Sequence, residues 1–237
     1  MEFIVSGFHK GIALILSGNA EVYSIARLSL LVSLLSTGAA MLIGVPLGGW
    51  IAVKNFPSKK LVISLVNTGM GLPPVVVGLL VMLFLSRNGP LNFLDWLYTP
   101  IGMVLAQVII ATPVITGLSM SAMQSVDPKF YRQILTLGAG EWQALLVCLK
   151  EIRLSILAAV IAGFGSVISE VGAVMIVGGN IRHQTRVLTT ATVLETQMGN
   201  YDMAIALGLI LIMLTFLINL ALTFIQQQKA QLGASAK

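Results

Sequence analysis

Residues 67–81 read NTGMGLPPVVVGLLV, an apolar stretch interrupted by three glycines and by the adjacent Pro73 and Pro74. It lies within 26 consecutive uncharged residues between Lys60 and Arg87, and about 20 apolar residues suffice to cross a bilayer as a helix. Pro73 is about 20 Å past Lys60 at 1.5 Å per residue, so the helix must bend or break at membrane depth. Broken backbone is tolerated there only against protein or a water-filled cavity. A packing kink without substrate contact explains the same residues equally well.

The composition supports a membrane protein. Only 10% of the 237 residues are charged, 57% are hydrophobic and the mean hydropathy is +0.94. A soluble domain carries about 25% charged residues, so an ordinary soluble enzyme and a disordered chain are both excluded. The net charge of +5 is spread singly and in pairs, which does not predict a nucleic-acid surface. One cysteine and two histidines do not suffice for a disulfide or a His/Cys metal site.

Four further stretches are long and nearly free of charge. We therefore predict a single, all-α integral membrane domain over residues 1–237 with five transmembrane helices, at 24–53, 61–85, 100–123, 153–178 and 203–227. Residues 1–22 are expected to form an interfacial segment, because Phe3, Ile4, Phe8, Ile12 and Leu16 follow helical spacing. No basic residue precedes this segment, so a cleaved signal peptide is not expected. Residues 228–237 are predicted to be a polar tail.

The basic residues predict the orientation. Nine of the fourteen fall on one side of the predicted helices: Lys54, Lys59, Lys60, Lys129, Arg132, Lys150, Arg153, Lys229 and Lys237. The positive-inside rule places that side in the cytoplasm, so the N-terminus is outside and the C-terminus inside. Residues 124–152 are then the one long cytoplasmic loop, and residues 86–99 and 179–202 are external loops.

Small and polar residues within the spans indicate helix contacts. The first span carries a stripe of small residues at spacings of three and four: Ser29, Ser33, Ser36, Ala40, Gly44 and Gly48. The fourth span has two such stripes, Gly165, Ser169 and Gly172 on one face and Gly163, Ser166, Glu170 and Ala173 on the next, which predicts packing on most sides. In the third span, Thr112 and Pro113 are expected to interrupt the helix.

Glu170 is the one ionisable residue deep in a predicted span, roughly 25 Å along the helix from Arg153. An intramembrane carboxyl group is a functional candidate by default, and Arg27 and Arg182 are its expected partners. A purely structural carboxyl group, hydrogen-bonded to neighbouring helices, is equally consistent with the sequence.

Residues 127–152 read DPKFYRQILTLGAGEWQALLVCLKEI. Asp127 can cap a helix that begins at Pro128 and stops near Gly138. A second helix is expected from near Gly140, with Trp142, Leu145, Leu146 and Leu149 on one face. Two short helices around a glycine hinge are typical of a docking element, although a solvated connection between two spans is the alternative.

This loop resembles the coupling loop of ATP-binding-cassette importer permeases, through TLGA at residues 136–139 followed by Trp142, Gln143 and Ala144. Where that family has Glu-Ala-Ala this chain has Arg132, Gln133 and Ile134, and Lys150-Glu151 replaces Leu-Pro, so contacts of the family's glutamate cannot be transferred. The segments 67–81, 168–191 (ISEVGAVMIVGGNIRHQTRVLTTA) and 198–211 (MGNYDMAIALGLIL) look like the tungstate-type permeases of the molybdate and sulfate importer group. The resemblance covers residues 22 to 227.

The resemblance implies the five-helix core of type I importers, used as a homodimer with the pathway on the two-fold axis. It implies an oxyanion cargo, tungstate before molybdate or sulfate, and a multi-pass location in a bacterial or archaeal inner membrane. It further implies two cytoplasmic ATP-binding subunits and an external substrate-binding protein. The chain has no Gly-Lys pair and hence no P-loop, so it is expected to be a transport subunit without its own ATPase site, cofactor or metal. ATP and Mg²⁺ would be held by the partner ATPase.

Two sets of site residues follow. The ATPase-coupling residues are Leu137, Gly138, Ala139, Gly140, Glu141 and Trp142. The pathway or gate residues are Pro73, Pro74, Thr112, Ser166, Ser169, Glu170, Gly178, Gly179 and Asn180. With no Arg or Lys deep in the spans, the pathway is expected to bind an anion weakly.

A stand-alone channel or ion-coupled carrier is the rival hypothesis. Coupled carriers usually show internal pseudo-symmetry and intramembrane charge pairs, and neither is found in this sequence. An intramembrane enzyme would need a paired nucleophile and base, which the spans lack.

Overall fold

The computed structural model describes the backbone of residues 2–234 and the side chains of residues 5–227. Within that range the chain is helical, with a short 3-10 turn at Asn92–Leu94 and no strand. The α-helices, in chain order, are α1 Glu2–Leu16, α2 Ala20–Val53, α3 Lys59–Met70, α4 Pro74–Leu85, α5 Pro100–Gln124, α6 Pro128–Thr136, α7 Glu141–Glu151, α8 Arg153–Ile168, α9 Gly172–Gly178, α10 Leu188–Gln197 and α11 Tyr201–Ala234.

Three helices are long and apolar enough to cross a membrane unaided: α2, α5 and the part of α11 up to Gln227. Two helix pairs reach the same criterion together, α3 with α4 and α8 with α9, and these are bent by 99° and 58°. If each bent pair is one span, the described part of the chain has up to five. The predicted break in the second span is present, whereas the bend in the fourth was not predicted.

The centre of the structure is the contact between α2 and α5. All six residues of the predicted small-residue stripe on α2 are buried, which confirms that this face packs against protein. At Gly48 the approach is closest, because a Cβ atom there would lie 2.9 Å from the Met120 backbone nitrogen and closer still to the carbonyl oxygen of Thr116. Small residues are enriched at such interfaces because they let two helix backbones approach closely.

The prediction that Thr112 and Pro113 interrupt the third span is wrong, because α5 is one continuous helix from Pro100 to Gln124. Proline removes only one helical hydrogen bond, and neighbouring groups in a membrane bundle can compensate for that loss. The Thr112 hydroxyl donates to the carbonyl of Val108 at 2.6 Å. Gly69 leaves room for the proline ring, since a Cβ atom there would lie 2.8 Å from Pro113 Cβ.

The two small-residue stripes of the fourth span have different environments. On one stripe Gly163 and Ala173 are buried, and a Cβ atom at Gly163 would lie 2.6 Å from Ile115. On the other, Gly165 has open space beside it and Ser169 is exposed. Gly172, the third member of that second stripe, is packed, since a Cβ atom there would lie 2.5 Å from a methyl group of Val75. Within this single chain the expected packing is therefore absent only at Gly165 and Ser169.

The N-terminal helix α1 packs on the first turns of α11. Gly7 lies against Ile205 and Gly11 against Ala206, and the Lys10 ammonium contacts the Asp202 carboxylate at 2.6 Å. The opposite stripe of α1 is exposed and consists of Val5, Phe8, Ile12 and Leu16. The side chains of Phe3 and Ile4 lie outside the described residues, and the interfacial location of this segment stays a prediction.

The helix α10 falls within residues 179–202, which the sequence suggested to be an external loop. Its Thr-rich sequence, LTTATVLETQ, has no helical apolar pattern, and β-branched residues have low helix propensity. Burial of its first turn stabilises it, since Leu188, Thr189, Thr190 and Ala191 are all buried. Helix α11 continues to Ala234, into the segment predicted to be a polar tail.

The close approach of α2 and α5 leads to a prediction about two glycines in the same helix. Gly48→Ala should destabilise the protein by about 1 to 3 kcal/mol, as overpacking of a tight core does, because the added methyl group meets fixed backbone atoms. Gly38→Ala is the matched control, since nothing lies within 4 Å of a Cβ atom there. We expect the thermal midpoint of detergent-solubilised protein to fall for Gly48→Ala and not for Gly38→Ala. Equal midpoints for the two variants would contradict the described packing.

Candidate translocation site and coupling loop

The first helix break lies at residues 71–73, between α3 and α4. Pro73 is in an extended conformation with φ −62° and ψ 121°, and Pro74 begins α4. Proline favours this first helical position because its missing N–H would have had no partner there. Pro73 is exposed and Pro74 is half-buried. The break therefore presents backbone and proline rings, not a charged side chain.

The second break lies at residues 169–171, between α8 and α9, and contains Glu170. One carboxylate oxygen of Glu170 accepts a hydrogen bond from the Ala173 backbone N–H at 2.9 Å, at the start of α9. The backbone carbonyl of Glu170 accepts a hydrogen bond from the Thr189 hydroxyl at 3.0 Å. The Glu170 side chain thus binds one backbone N–H group, and the Glu170 carbonyl is bound by one hydroxyl group. Such contacts are expected if the role of this carboxyl group is structural.

The expected ion pairs of Glu170 are not found. The guanidinium of Arg182 instead binds the carboxylate of Glu21 through two contacts of 2.7 and 2.6 Å. Arg27 has no ion pair within the described residues. The sequence places Arg182 near the outer side of the membrane but does not show which carboxylate it binds. Glu21 and Arg182 are brought together only by the packing of α2 against the segment after α9.

The two breaks lie against each other. A Cβ atom at Gly78 would lie 2.6 Å from Ala173 Cα, and one at Gly172 would lie 2.5 Å from a methyl group of Val75. The first turns of α4 and α9 are therefore in contact immediately after their breaks. The exposed Ser169 and Pro73 both belong to this junction. The structure thus brings Pro73, Pro74, Ser169 and Glu170 to neighbouring helix ends.

The serine hydroxyls predicted for the pathway are occupied within their own helix. Ser166 donates to the carbonyl of Gly163 and Ser169 to that of Gly165, each at 2.8 Å. Thr112, as described above, is similarly engaged on α5. These three hydroxyls are free to accept but already donate, so they are poor ligands for an anion.

A buried polar network supports the second break, and its key residue was missed in the sequence. Gln107 of α5 is 3% exposed, donates its side-chain amide to the Val167 carbonyl at 2.9 Å and accepts from the Ser36 hydroxyl at 3.0 Å. Gln107 is the one side-chain amide in the predicted third span, and that was the available signal. Beside it lies a cavity of about 10 Å³ lined in part by Ser29, Ser33, Gln107, Glu170 and Thr189, at the lower limit for one water molecule.

Helix α9 ends at Gly178 and is followed by a tight turn at Gly179 and Asn180. These three residues are not part of the junction between the breaks. Gly179 has φ +70° and Asn180 has φ +50°, a region that favours glycine and tolerates asparagine. The Gly178 carbonyl accepts the Thr185 hydroxyl at 2.5 Å, and the Tyr98 backbone N–H binds the Val177 carbonyl at 2.9 Å. These contacts attach the turn to the start of α5.

The loop between α6 and α7 has the predicted form. The Asp127 side chain accepts the Lys129 N–H at 2.8 Å, α6 ends at Thr136, and α7 begins at Glu141. Leu137, at the tip, is 86% exposed, and Gly138 has φ +89°. Ala139 is half-buried and Gly140 is exposed. The tip therefore presents an apolar side chain to solvent on a backbone that requires glycine.

Helix α7 is fixed to the end of α2 through part of its predicted apolar face. The buried residues are Ala144, Leu145, Cys148 and Leu149, whereas the predicted Trp142 and Leu146 are 57% and 42% exposed. Leu145 and Leu149 pack on Gly49, and the Glu141 carboxylate contacts the Lys54 ammonium at 2.5 Å.

Burial raises the pKa of the Cys148 thiol on α7, and burial likewise raises the pKa of the Tyr131 hydroxyl on α6. Both groups therefore stay neutral at physiological pH.

Comparison with known proteins agrees with this architecture. The chain belongs to the binding-protein-dependent transport system inner membrane component family, whose profile matches residues 44–230. It is thus a membrane transport component, and the resemblance seen in the sequence is confirmed.

Two individual proteins are similar to this chain over most of its length. The chain is 41% identical to the tungstate uptake system permease protein TupB of Peptoclostridium acidaminophilum, over 96% of this chain and 100% of the relative. It is also 41% identical to a probable anion ABC transporter permease protein of Haloferax volcanii, over 83% of this chain and 87% of the relative.

Among solved structures, a bacterial alginate ABC transporter in complex with its alginate-bound periplasmic protein superposes with a TM-score of 0.68. The match covers 88% of this chain and 79% of the transporter chain at 21% identity, and it supports the fold alone.

Within the described residues no three His, Cys, Asp or Glu side chains come together in a group that could hold a metal ion.

The contacts of Glu170 lead to a prediction that separates a capping role from a charge-dependent one. Glu170→Ala removes the acceptor for the Ala173 N–H and should cost about 1 kcal/mol of stability, the usual value for a lost cap. Glu170→Gln keeps an acceptor oxygen and should lie between the wild type and the alanine variant. We expect this order in thermal midpoints, with Ser169→Ala as a control at the neighbouring position. If Glu170→Gln were as unstable as Glu170→Ala, the negative charge and not the hydrogen bond would be the stabilising feature.

Proposed function

We propose that this chain is the permease subunit of an ATP-binding-cassette importer for an oxyanion, tungstate in the first place. The observation that carries the proposal is the similarity to a tungstate uptake permease over that protein's whole length. The anion permease relative agrees in the class of cargo. Molybdate and sulfate are the nearest alternatives, because they are tetrahedral oxyanions of the same charge.

In this proposal the permease acts as a homodimer of two five-span subunits in the inner membrane. Two cytoplasmic ATPase subunits hold ATP and Mg²⁺, and an external binding protein delivers the oxyanion. The open space beside Gly165, the exposed Ser169 and the exposed side of α3 are surfaces that a second copy and a shared pathway would cover. No residue of α3 is buried within the single chain.

Residues 137–142 are proposed as the contact with the ATPase. Leu137 protrudes from the loop, and α7 behind it is held to α2 by Leu145, Leu149 and the Lys54–Glu141 pair. A displacement of the loop would therefore move the end of α2. Because α2 packs closely on α5, and α5 contacts both bent helix pairs, the movement would reach the two breaks as a rigid-body shift.

The two breaks are the proposed site of passage. Broken backbone at membrane depth exposes groups that a continuous helix would satisfy internally, which is why transporters place substrate there. The hydroxyls of Ser166, Ser169 and Thr112 are already used as donors, and the carboxylate of Glu170 repels an anion. Weak binding at the breaks follows, with selectivity residing mainly in the delivery protein.

The hinge glycines provide a test of the proposal. Gly138→Ala introduces a Cβ atom at φ +89°, whereas Gly140→Ala introduces one at φ −66°, where alanine is tolerated. The chain should be reconstituted in liposomes with its ATPase subunits and delivery protein, and tungstate uptake measured with and without ATP. We expect ATP-dependent uptake in the wild type and in Gly140→Ala, and at least a tenfold loss in Gly138→Ala with unchanged expression.

Three outcomes would contradict this account. Equal uptake by both glycine variants would remove the coupling role of Gly138. Flux through the permease without ATPase subunits would favour a channel or carrier. Uptake inhibited by sulfate or molybdate at lower concentrations than by unlabelled tungstate would reassign the cargo within the oxyanion class.

A further inference from the structure

A group of basic side chains lies at the end of α2 opposite the coupling loop. We call Arg27, Arg182, His183 and Arg186 the outer basic cluster; together with Glu21 they line two neighbouring cavities. Arg27 is 27 residues before Lys54 on the same helix, which places it about 40 Å from the loop along the helix axis. If the coupling loop is cytoplasmic, this cluster is on the outer side of the membrane.

The cluster has more positive charge than its own carboxylate can compensate. Glu21 is engaged by Arg182 through two short contacts, and Arg186 reaches it only at 3.9 Å. The Arg186 side chain is 18% exposed, and its Nε atom is buried with no hydrogen-bond partner. Arg27 has no ion pair within the described residues. The buried Nε–H of Arg186 therefore lacks a partner, while the exposed Arg27 guanidinium has no counterion among the described residues.

Two other carboxylates lie nearby. Glu195, which lines the neighbouring cavity, accepts a hydrogen bond from the neutral Asn200 side chain at 2.9 Å and forms no ion pair within the described residues. Lys10 and Asp202 form their own ion pair at 2.6 Å. A buried guanidinium donor without a partner is unfavourable, and such groups are normally satisfied. An external anion is the missing partner that this arrangement can accept.

Three members of the cluster, Arg27, His183 and Arg186, line an open cavity of about 240 Å³. Its polar lining consists of Glu21, Ser24, Arg27, His183, Gln184 and Arg186. Guanidinium groups bind oxyanions through two parallel N–H donors, and hydroxyl, imidazole and amide groups can add further hydrogen bonds. The floor is apolar, formed by Ile25, Leu28 and Leu31. The cavity thus combines charge, donors and a low-dielectric wall in a volume suited to a small anion.

The cavity adjoins the second helix break along two shared elements. On α2, Ser29 follows Arg27 by two residues and lines the small cavity that contains Glu170. On the segment after α9, Val187 and Thr189 follow Arg186 and line the same small cavity. The Leu188 backbone N–H binds the Ser29 hydroxyl oxygen at 2.8 Å and so holds the segment after Arg186 against α2. The same two segments therefore line both the basic cavity and the small cavity beside the break.

We propose that the outer basic cluster is a receiving site for a tetrahedral oxyanion, which it holds after delivery and before entry at the second break. This proposal rests on the proposed function and adds to it a cationic site that the spans themselves lack. The partly buried Arg186, set inside a cavity, is suited to a small anion and is a poor contact for the flat acidic surface of a protein. Arg27 and Arg186 supply the charge, while Arg182 is held by Glu21 and lines the neighbouring cavity.

The test uses the whole importer in liposomes with saturating delivery protein loaded with tungstate. Arg27→Gln and Arg186→Gln should each reduce the maximal uptake rate about tenfold, and Arg186→Lys should restore part of it. Arg87→Gln is the matched control, since Arg87 is an exposed arginine on the same predicted side and does not line the cavity. It should remain within about twofold of the wild type. Affinity of the delivery protein for the importer should be the same in all variants.

Distinct results would overturn the proposal. Uptake by Arg27→Gln and Arg186→Gln equal to that of Arg87→Gln would show that the cluster does not contact the cargo. Weaker docking of unloaded delivery protein to these variants would assign the cluster to protein contact. A defect that appears only in liposomes containing phosphatidylglycerol, and not in pure phosphatidylcholine, would assign it to lipid headgroups. Absence of tungstate uptake by the wild type would instead refute the proposed function.

Discussion

The structure depends on one constraint: backbone polar groups within a membrane must be satisfied by the protein itself. The chain has two breaks at which helical hydrogen bonding stops, and it places them against each other, with Gly78 on Ala173 and Gly172 on Val75. The groups released by the second break are taken up by Glu170, Thr189 and Gln107. The glycines are required by this contact, because any side chain at Gly78 would meet the facing backbone.

This constraint explains why the polar residues of the spans have mostly structural partners. Glu170 caps α9, Gln107 binds the last turn of α8, and Ser29, Ser36, Ser166 and Ser169 donate to carbonyl groups of their own helices. The two breaks themselves, residues 71–73 and 169–171, contain one carboxyl group and no Lys or Arg. Positive charge accumulates instead at the two ends of α2. At one end Lys54 pairs with Glu141 at the start of α7, and at the other the arginines of the outer basic cluster lie together.

Much of this fold is readable from local sequence. The apolar runs, the break at Pro73, the small-residue stripe of α2 and the capped helices around Gly138 each follow from a pattern within a few turns of helix. The bend at Glu170 was not predictable in the same way, because no proline marks it and the hydrogen bonds that stabilise it come from α5 and α10. Helix α10 was missed since burial, not propensity, stabilises it. The pairing of Glu21 with Arg182, 161 residues apart, depends on tertiary packing alone.

The account holds that the junction of the two breaks lines an aqueous route, and Ser169 is the exposed residue that reports on it. The direct measurement is the labelling of Ser169→Cys, in a Cys148→Ala background, by a membrane-impermeant maleimide in the reconstituted importer with and without ATP. Ile212→Cys on α11, which is 66% exposed on an apolar helix, serves as the lipid-facing control. The account predicts labelling at Ser169→Cys whose rate changes with ATP, and none at Ile212→Cys. Labelling of Ser169→Cys only by a lipid-soluble maleimide, unaffected by ATP, would contradict it.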